Sequence, residues 1–197
     1  MANTSVKFGL KPINGFGGTT ADGVNQYFIK SDASAIFQGS PVVVELTGGT
    51  IAIGDASGDT KQYLGVFAGC EYVDNTTKKL KFSNYWPGSG SADTNHDIKG
   101  FVYDNPMQRY IIASDGTNTN KATARASIFK VCDLANGAAG STTTGISTAQ
   151  IDISEAAASD PSNALMILGI HDDPTNADHT AAGVNYIVKI NNHIFFS

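Results

Sequence analysis

Short apolar runs rich in Ile and Val recur roughly every ten residues along the chain, each closed by Gly, Asp, Asn or Ser. This punctuation constrains the fold more than any other feature. A run of about four to eight residues ended by turn chemistry has the length of a strand, and strands at that spacing build sandwiches or barrels. The predicted strands are QYFIKS, SPVVVEL, TIAIG, KQYLGVFAGCEYV, KLKFSN, IKGFVYD, RYIIAS, ARASIFKVCDL, AQIDIS, ALMILGIHD and NYIVKINNHIFF. Residue choice agrees: Ile plus Val number 28 against 7 Leu, and only 3 of the 18 acids are Glu. β-branched side chains suit a pleated sheet, whereas Asp and Asn bond locally to turn backbones and compete with helix.

The connectors carry their own mechanisms. TGG at 47–49, DASGD at 55–59 and SDG at 114–116 can supply positive-φ turn positions, and Pro106 fixes a turn in DNPM. One short helix is predicted in SEAAASDPSNA (154–164), with Ser154 as N-cap and Pro161 limiting its length. PGSGSADTN (87–95) and NGAAGSTTTG (136–145) read as exposed loops. Residues 1–24 are glycine-rich without periodicity and read as an extended N-terminal arm, leaving 25–197 as a single all-β domain, a sandwich or barrel with little helix.

Within YLGVFAGCEYVD, strict alternation puts Leu64, Val66, Ala68, Cys70 and Tyr72 on one face, with Tyr63, Gly65, Phe67, Gly69 and Glu71 on the other. Gly65 and Gly69 predict a close approach by another strand or a ring over the backbone. Cys70 is either a small core residue or a thiol activated by one of the four histidines. Nothing local lowers its pKa, and Cys70 and Cys132 lack metal or disulfide spacing, so both read as buried, reduced thiols.

Charge narrows the partners. The net charge is −5, and the 13 Lys and Arg are scattered apart from KKLK at 78–81, so direct nucleic-acid binding is not expected. KKLK reads as a strand with its lysines outward and Leu80 and Phe82 inward. The N-terminal residues lack a signal-peptide core and no run reaches about 20 apolar residues, so synthesis in the cytosol and no membrane partner are expected.

Chemistry-bearing strings are few. HDDPTNADH (171–179) offers two imidazoles and three carboxylates, yet its spacing fits no familiar ligand set and Asp-Asp-Pro also ends strands. DASGDT (55–60) lacks the terminal glutamate of a calcium loop, GFGGTT (15–20) does not complete a dinucleotide fingerprint, and GSGSA (88–92) fails the nucleophile-elbow pattern. Trp86 reads either as a core plug or as a stacking platform for a ligand. No catalytic residue, metal or cofactor is therefore assigned.

YLGVFAGCEYVD, FSNYWPG, FVYDNPMQRY, GSTTTGISTAQIDIS and LMILGIHDDPTNADHTAAGVNYIVKINNH follow one another in an order that resembles a family of small virion structural proteins of tailed bacteriophages. Its members look to be head decoration, or cement, proteins. The resemblance runs from about residue 26 to 193, and KFGLKP near the start shares it, whereas GFGGTTADG looks like a variable loop. It implies a non-enzymatic protein on the outer surface of the phage head, bound to the major capsid protein and arranged as a homotrimer. His171 stands where similar proteins commonly lack a histidine, which argues against an essential ligand. Lys7, Phe8, Leu10 and Pro12, isolated from the core pattern, are the candidate capsid contacts. Two other readings remain: a tail or head-to-tail connector component, and a glycan-binding or hydrolytic module built around Trp86 and the carboxylates.

Overall fold

Turn residues and β-branched runs deliver the expected strands. The computed structural model describes residues 6–14, 23–54 and 62–196. The calcium-loop and dinucleotide-loop strings, and most of the predicted arm, lie outside the described residues. Strands β2 (Asn25–Ile29), β3 (Pro41–Glu45), β4 (Thr50–Ile53), β5 (Tyr63–Val73) and β7 (Ile98–Tyr103) pair in the order β3-β4-β2-β7-β5, and a further β3–β5 pairing closes the ring. The result is a five-stranded barrel, antiparallel except for β2 beside β4. TGG makes the β3–β4 hairpin: Gly48 N–H donates to Glu45 O (3.2 Å) and Gly49 takes φ +62°. β6 (Leu80–Ser83) hangs on β5 outside the ring.

A second sheet runs β1-β8-β13-β12-β9, comprising Lys11–Ile13, Arg109–Ala113, Asn185–Ile190, Leu165–Ile170 and Val131–Cys132. A two-stranded ribbon, β10 (Leu134–Ala135) with β11 (Gln150–Ile151), flanks it. The barrel interior holds Ile29, Val42, Ile51, Leu64, Phe67, Cys70, Tyr72 and Val102, with Ile36 and Trp86. The second core joins Tyr110, Ile112, Leu165, Ile167, Tyr186 and Val188 to Val43, Tyr63 and Val66 from the outer barrel wall. The β3–β5 wall thus has two apolar faces, and its near-continuous burial follows from that.

Strict alternation fails along β5. Its register with β3 skips Leu64, and its register with β7 skips Ala68, so two bulges shift the phase. Leu64, Phe67, Cys70 and Tyr72 consequently point into the barrel, while Tyr63 and Val66 point into the second core. The close approach predicted at Gly65 is present: a Cβ there would lie 2.1 Å from the Tyr103 carbonyl oxygen.

Three further expectations are corrected. The helix forms at α1 (Lys121–Ala126) instead of 154–164, because Asn120 caps it by accepting from Thr123 N–H (2.9 Å) and hydroxyl (3.2 Å). In 154–164, Asp160 instead accepts from Ser162 N–H and hydroxyl (2.9 and 2.6 Å) and builds a turn. KKLK alternates with the opposite phase to the one expected. Lys81 pairs with Tyr72, whose ring is turned into the barrel, so Lys81 lies on the inner side with Nζ 5.7 Å from that ring, and Leu80 and Phe82 face outward at 57% and 67% exposure.

The N-terminal segment is not a free arm where it is described. Leu10 is 1% exposed in the second core, Leu10 N–H donates to Gly39 O (2.8 Å), and residues 11–13 pair with β8. Gln108 Nε2 donates to Ile13 O, and Arg109 Nε to Asn14 O (2.8 Å), which fixes the far end. A deletion reaching Pro12 therefore removes a core side chain together with an edge strand.

At the other terminus, His193 is 1% exposed, and its Nδ1 accepts from Phe195 N–H (3.2 Å) beside the 3-10 turn Ile194–Phe196. Burial holds this imidazole below its ordinary 6.5, against an opposing pull from Asp104. The unfolded chain binds the proton more readily, so stability is complete above about pH 6.5 and is lost as pH falls from there towards the folded value. Urea midpoints should drop between pH 7.5 and 5, and His193→Gln should flatten that drop; an unchanged pH profile in the variant would contradict the assignment.

Candidate functional site

Three chain segments converge beside β1. Gly39 N–H donates to Phe67 O (2.8 Å), Phe67 N–H to Ser40 O (2.9 Å) and Ser147 N–H to Gln38 O (2.9 Å), which draws residues 8–12, 38–39 and 146 around one cleft. Its volume is about 280 Å³, and its apolar lining is Phe8, Leu10, Pro12, Phe67, Tyr103 and Ile146. Lys11, Gln38 and Gly39 complete the wall. That volume sits at the lower edge of the range of about 300 to 1,000 Å³ for small-molecule sites and has room for a side chain or two of another protein. Three of the four residues singled out as contacts, Phe8, Leu10 and Pro12, line it. Leu10 belongs to its buried floor, which corrects its expected place in a free arm, and Lys7 is exposed but is not part of the lining.

The other sequence candidates are absorbed by the fold. Trp86 is fully buried, donates through Nε1 to Ala33 O (3.2 Å) and meets the Tyr72 ring edge-on at 5.2 Å. It cannot stack on a sugar, which removes the anchor of the glycan reading. Both cysteines are free and buried, and burial pushes each thiol up to about 12. A thiol held there stays protonated at neutral pH, so Cys70 is a core residue. In HDDPTNADH, Asp173 caps a 3-10 turn by accepting from Thr175 N–H (2.8 Å), and Asp178 accepts from Thr180 N–H (3.0 Å). The Thr175 and Thr180 hydroxyls hold those two carboxyls below their usual range. Asn176 bonds the His171 and Asn185 carbonyls at 2.8 and 3.0 Å. Among the described residues, no group of three or more His, Cys, Asp or Glu is placed to hold a metal.

A second surface is not legible in the sequence. The barrel wall that faces away from the second core carries Phe28, Leu80 and Phe82, exposed by 48%, 57% and 67%. At its centre Lys99 Nζ lies 3.3 Å from Glu71 Oε1. The signal available in sequence was the phase of KKLK, which only the pairing with β5 could set.

No protein-family model matches the chain, and no curated protein or solved structure does either.

Proposed function

We propose that this is a virion structural protein: a decoration protein that binds the outer surface of the major capsid lattice of a tailed phage and stabilises the mature head. The observation that carries the reading is the cleft beside β1, an apolar recess with the exposed Lys11 in its wall. Recesses of this kind take the aromatic or aliphatic anchors that dominate protein interfaces. The ordered resemblance to phage head proteins supports the choice of partner, and the net charge of −5 suits an outer surface better than a DNA-facing wall. A protein that binds only the expanded shell stabilises it by mass action, by about 2.7 kcal/mol per site at a hundredfold excess over Kd.

Ile146, 38% exposed at the cleft, can be altered without touching the core. Ile146→Glu should lower occupancy on purified heads by at least about tenfold, with a thermal midpoint within a few degrees of wild type. Full occupancy by a folded variant would refute the cleft as the contact.

A further inference from the structure

The registers of four strands place one unusual row on the exposed barrel wall. Phe28 lies opposite Lys99, Lys99 opposite Glu71, and Glu71 opposite Phe82. Residues directly opposite each other share a sheet face, so β2, β7, β5 and β6 present aromatic, cation, anion and aromatic side by side. We propose that this wall is a self-association face, which pairs two copies of the chain about a twofold axis lying between β7 and β5 and running parallel to them.

Symmetry and charge select a second copy as the occupant. Such an axis reverses the row, so Phe28 of one copy meets Phe82 of the other, and Lys99 meets Glu71, in two equivalent sets. That is the requirement of an isologous interface, in which one patch must complement itself. An unlike partner needs no palindrome. The Lys99–Glu71 pair, already 3.3 Å apart within one copy, becomes an alternating square of four charges, each with two opposite neighbours.

The border of the row is apolar. Leu80 lies opposite Val73 on the same face, and Phe101 lies opposite Gly69. Because Gly69 carries no side chain, a shallow depression remains between Phe82 and Phe101, where the Phe28 ring of the second copy is received. Exposed aromatics around a charged centre are costly to leave in water, and two stacked sheet faces about 10 Å apart bury them. The inference concerns the isolated protein, and it stands or falls independently of head binding.

Sedimentation equilibrium on the full chain tests it, with Phe82→Ser on an exposed position and Glu71→Lys, Lys99→Glu and the double charge swap on partly exposed ones. Wild type should form pairs in the micromolar range. F82S and E71K should each weaken pairing by at least about tenfold while the thermal midpoint stays within a few degrees of wild type. The double swap restores the palindrome with its signs reversed, so it should pair with itself and fail to pair with wild type in a mixed sample read by native mass spectrometry. A monomer through the hundred-micromolar range, a dimer or trimer unmoved by F82S, or a double swap that mixes freely with wild type would overturn the proposal.

Discussion

Trp86→Ala should destabilise the protein by about 3 to 5 kcal/mol, the largest loss expected from any single side-chain truncation in the barrel. Trp86 is fully buried, packs edge-on against Tyr72 at 5.2 Å and exchanges backbone hydrogen bonds with Ile36 at 2.8 and 3.0 Å. Removing the indole leaves a cavity in the barrel core, and a backbone held to Ile36 by two hydrogen bonds resists collapse into the gap. For a chain of this size the melting midpoint should fall on the order of 10 °C. Phe82→Ala is the control, because an aromatic exposed by 67% has little to lose in the monomer and should stay within about 0.5 kcal/mol. Differential scanning calorimetry separates the two variants, and a W86A midpoint within about two degrees of wild type would show that the barrel does not depend on this plug.

Gly65→Ala should cost about 3 kcal/mol or more through a different mechanism. The added methyl would sit 2.1 Å from the Tyr103 carbonyl oxygen and 2.9 Å from its carbon, both backbone atoms of β7. A side chain could rotate away, but here the two strands must separate next to the Val66–Tyr103 pair. That pair lies where the barrel wall meets the second core, so both cores should loosen together in one cooperative transition. Gly49→Ala offers the comparison: a Cβ there meets nothing within 4 Å, and the cost is the positive φ of +62° alone, about 1 kcal/mol. Equal denaturation midpoints for the two variants would refute the account of Gly65.

Much of this fold could be read from residue spacing, and the failures share a cause. Strands β2, β3, β4, β7, β8, β12 and β13 fall where apolar runs meet turn residues, since each is a short run bounded by turn chemistry, and the register shift of β12 between Ile167 and Gly169 does not move its bounds. β5 was located correctly, but its faces were not: the bulges at Leu64 and Ala68 arise from pairing with β3 and β7, and alternation within one strand cannot register them. The glycines that follow each bulge, Gly65 and Gly69, were the available signal. β6 shows the same limit, because the phase of Leu80 and Phe82 is set by Tyr72 across the ladder. β1 is three residues long, too short to make a pattern, and its hold on the fold comes from Gln108 and Arg109, some 95 positions away. α1 is hidden in the sequence because the run beginning at Ala124 has the pattern of a strand, while the Asn120 cap that nucleates the helix sits just before it.

The cleft was half legible for the same reason. Phe8, Leu10 and Pro12 stood out as apolar residues outside the periodic pattern, but their partners Gly39, Phe67, Tyr103 and Ile146 come from four distant parts of the chain. Proximity of that kind is created by barrel closure. The trait that made the segment look like a free contact arm, apolar residues without local periodicity, is also what an edge strand with one core anchor presents.

On the proposed function, the protein docks in many copies on a capsid shell. Cryo-electron microscopy of intact virions, with the copies of this chain counted, tests it most directly. The account predicts hundreds of copies on the outer surface of the head, each seated with the β1 cleft filled by a capsid side chain. A dozen or fewer copies at the neck or tail, or none on finished heads, would contradict it.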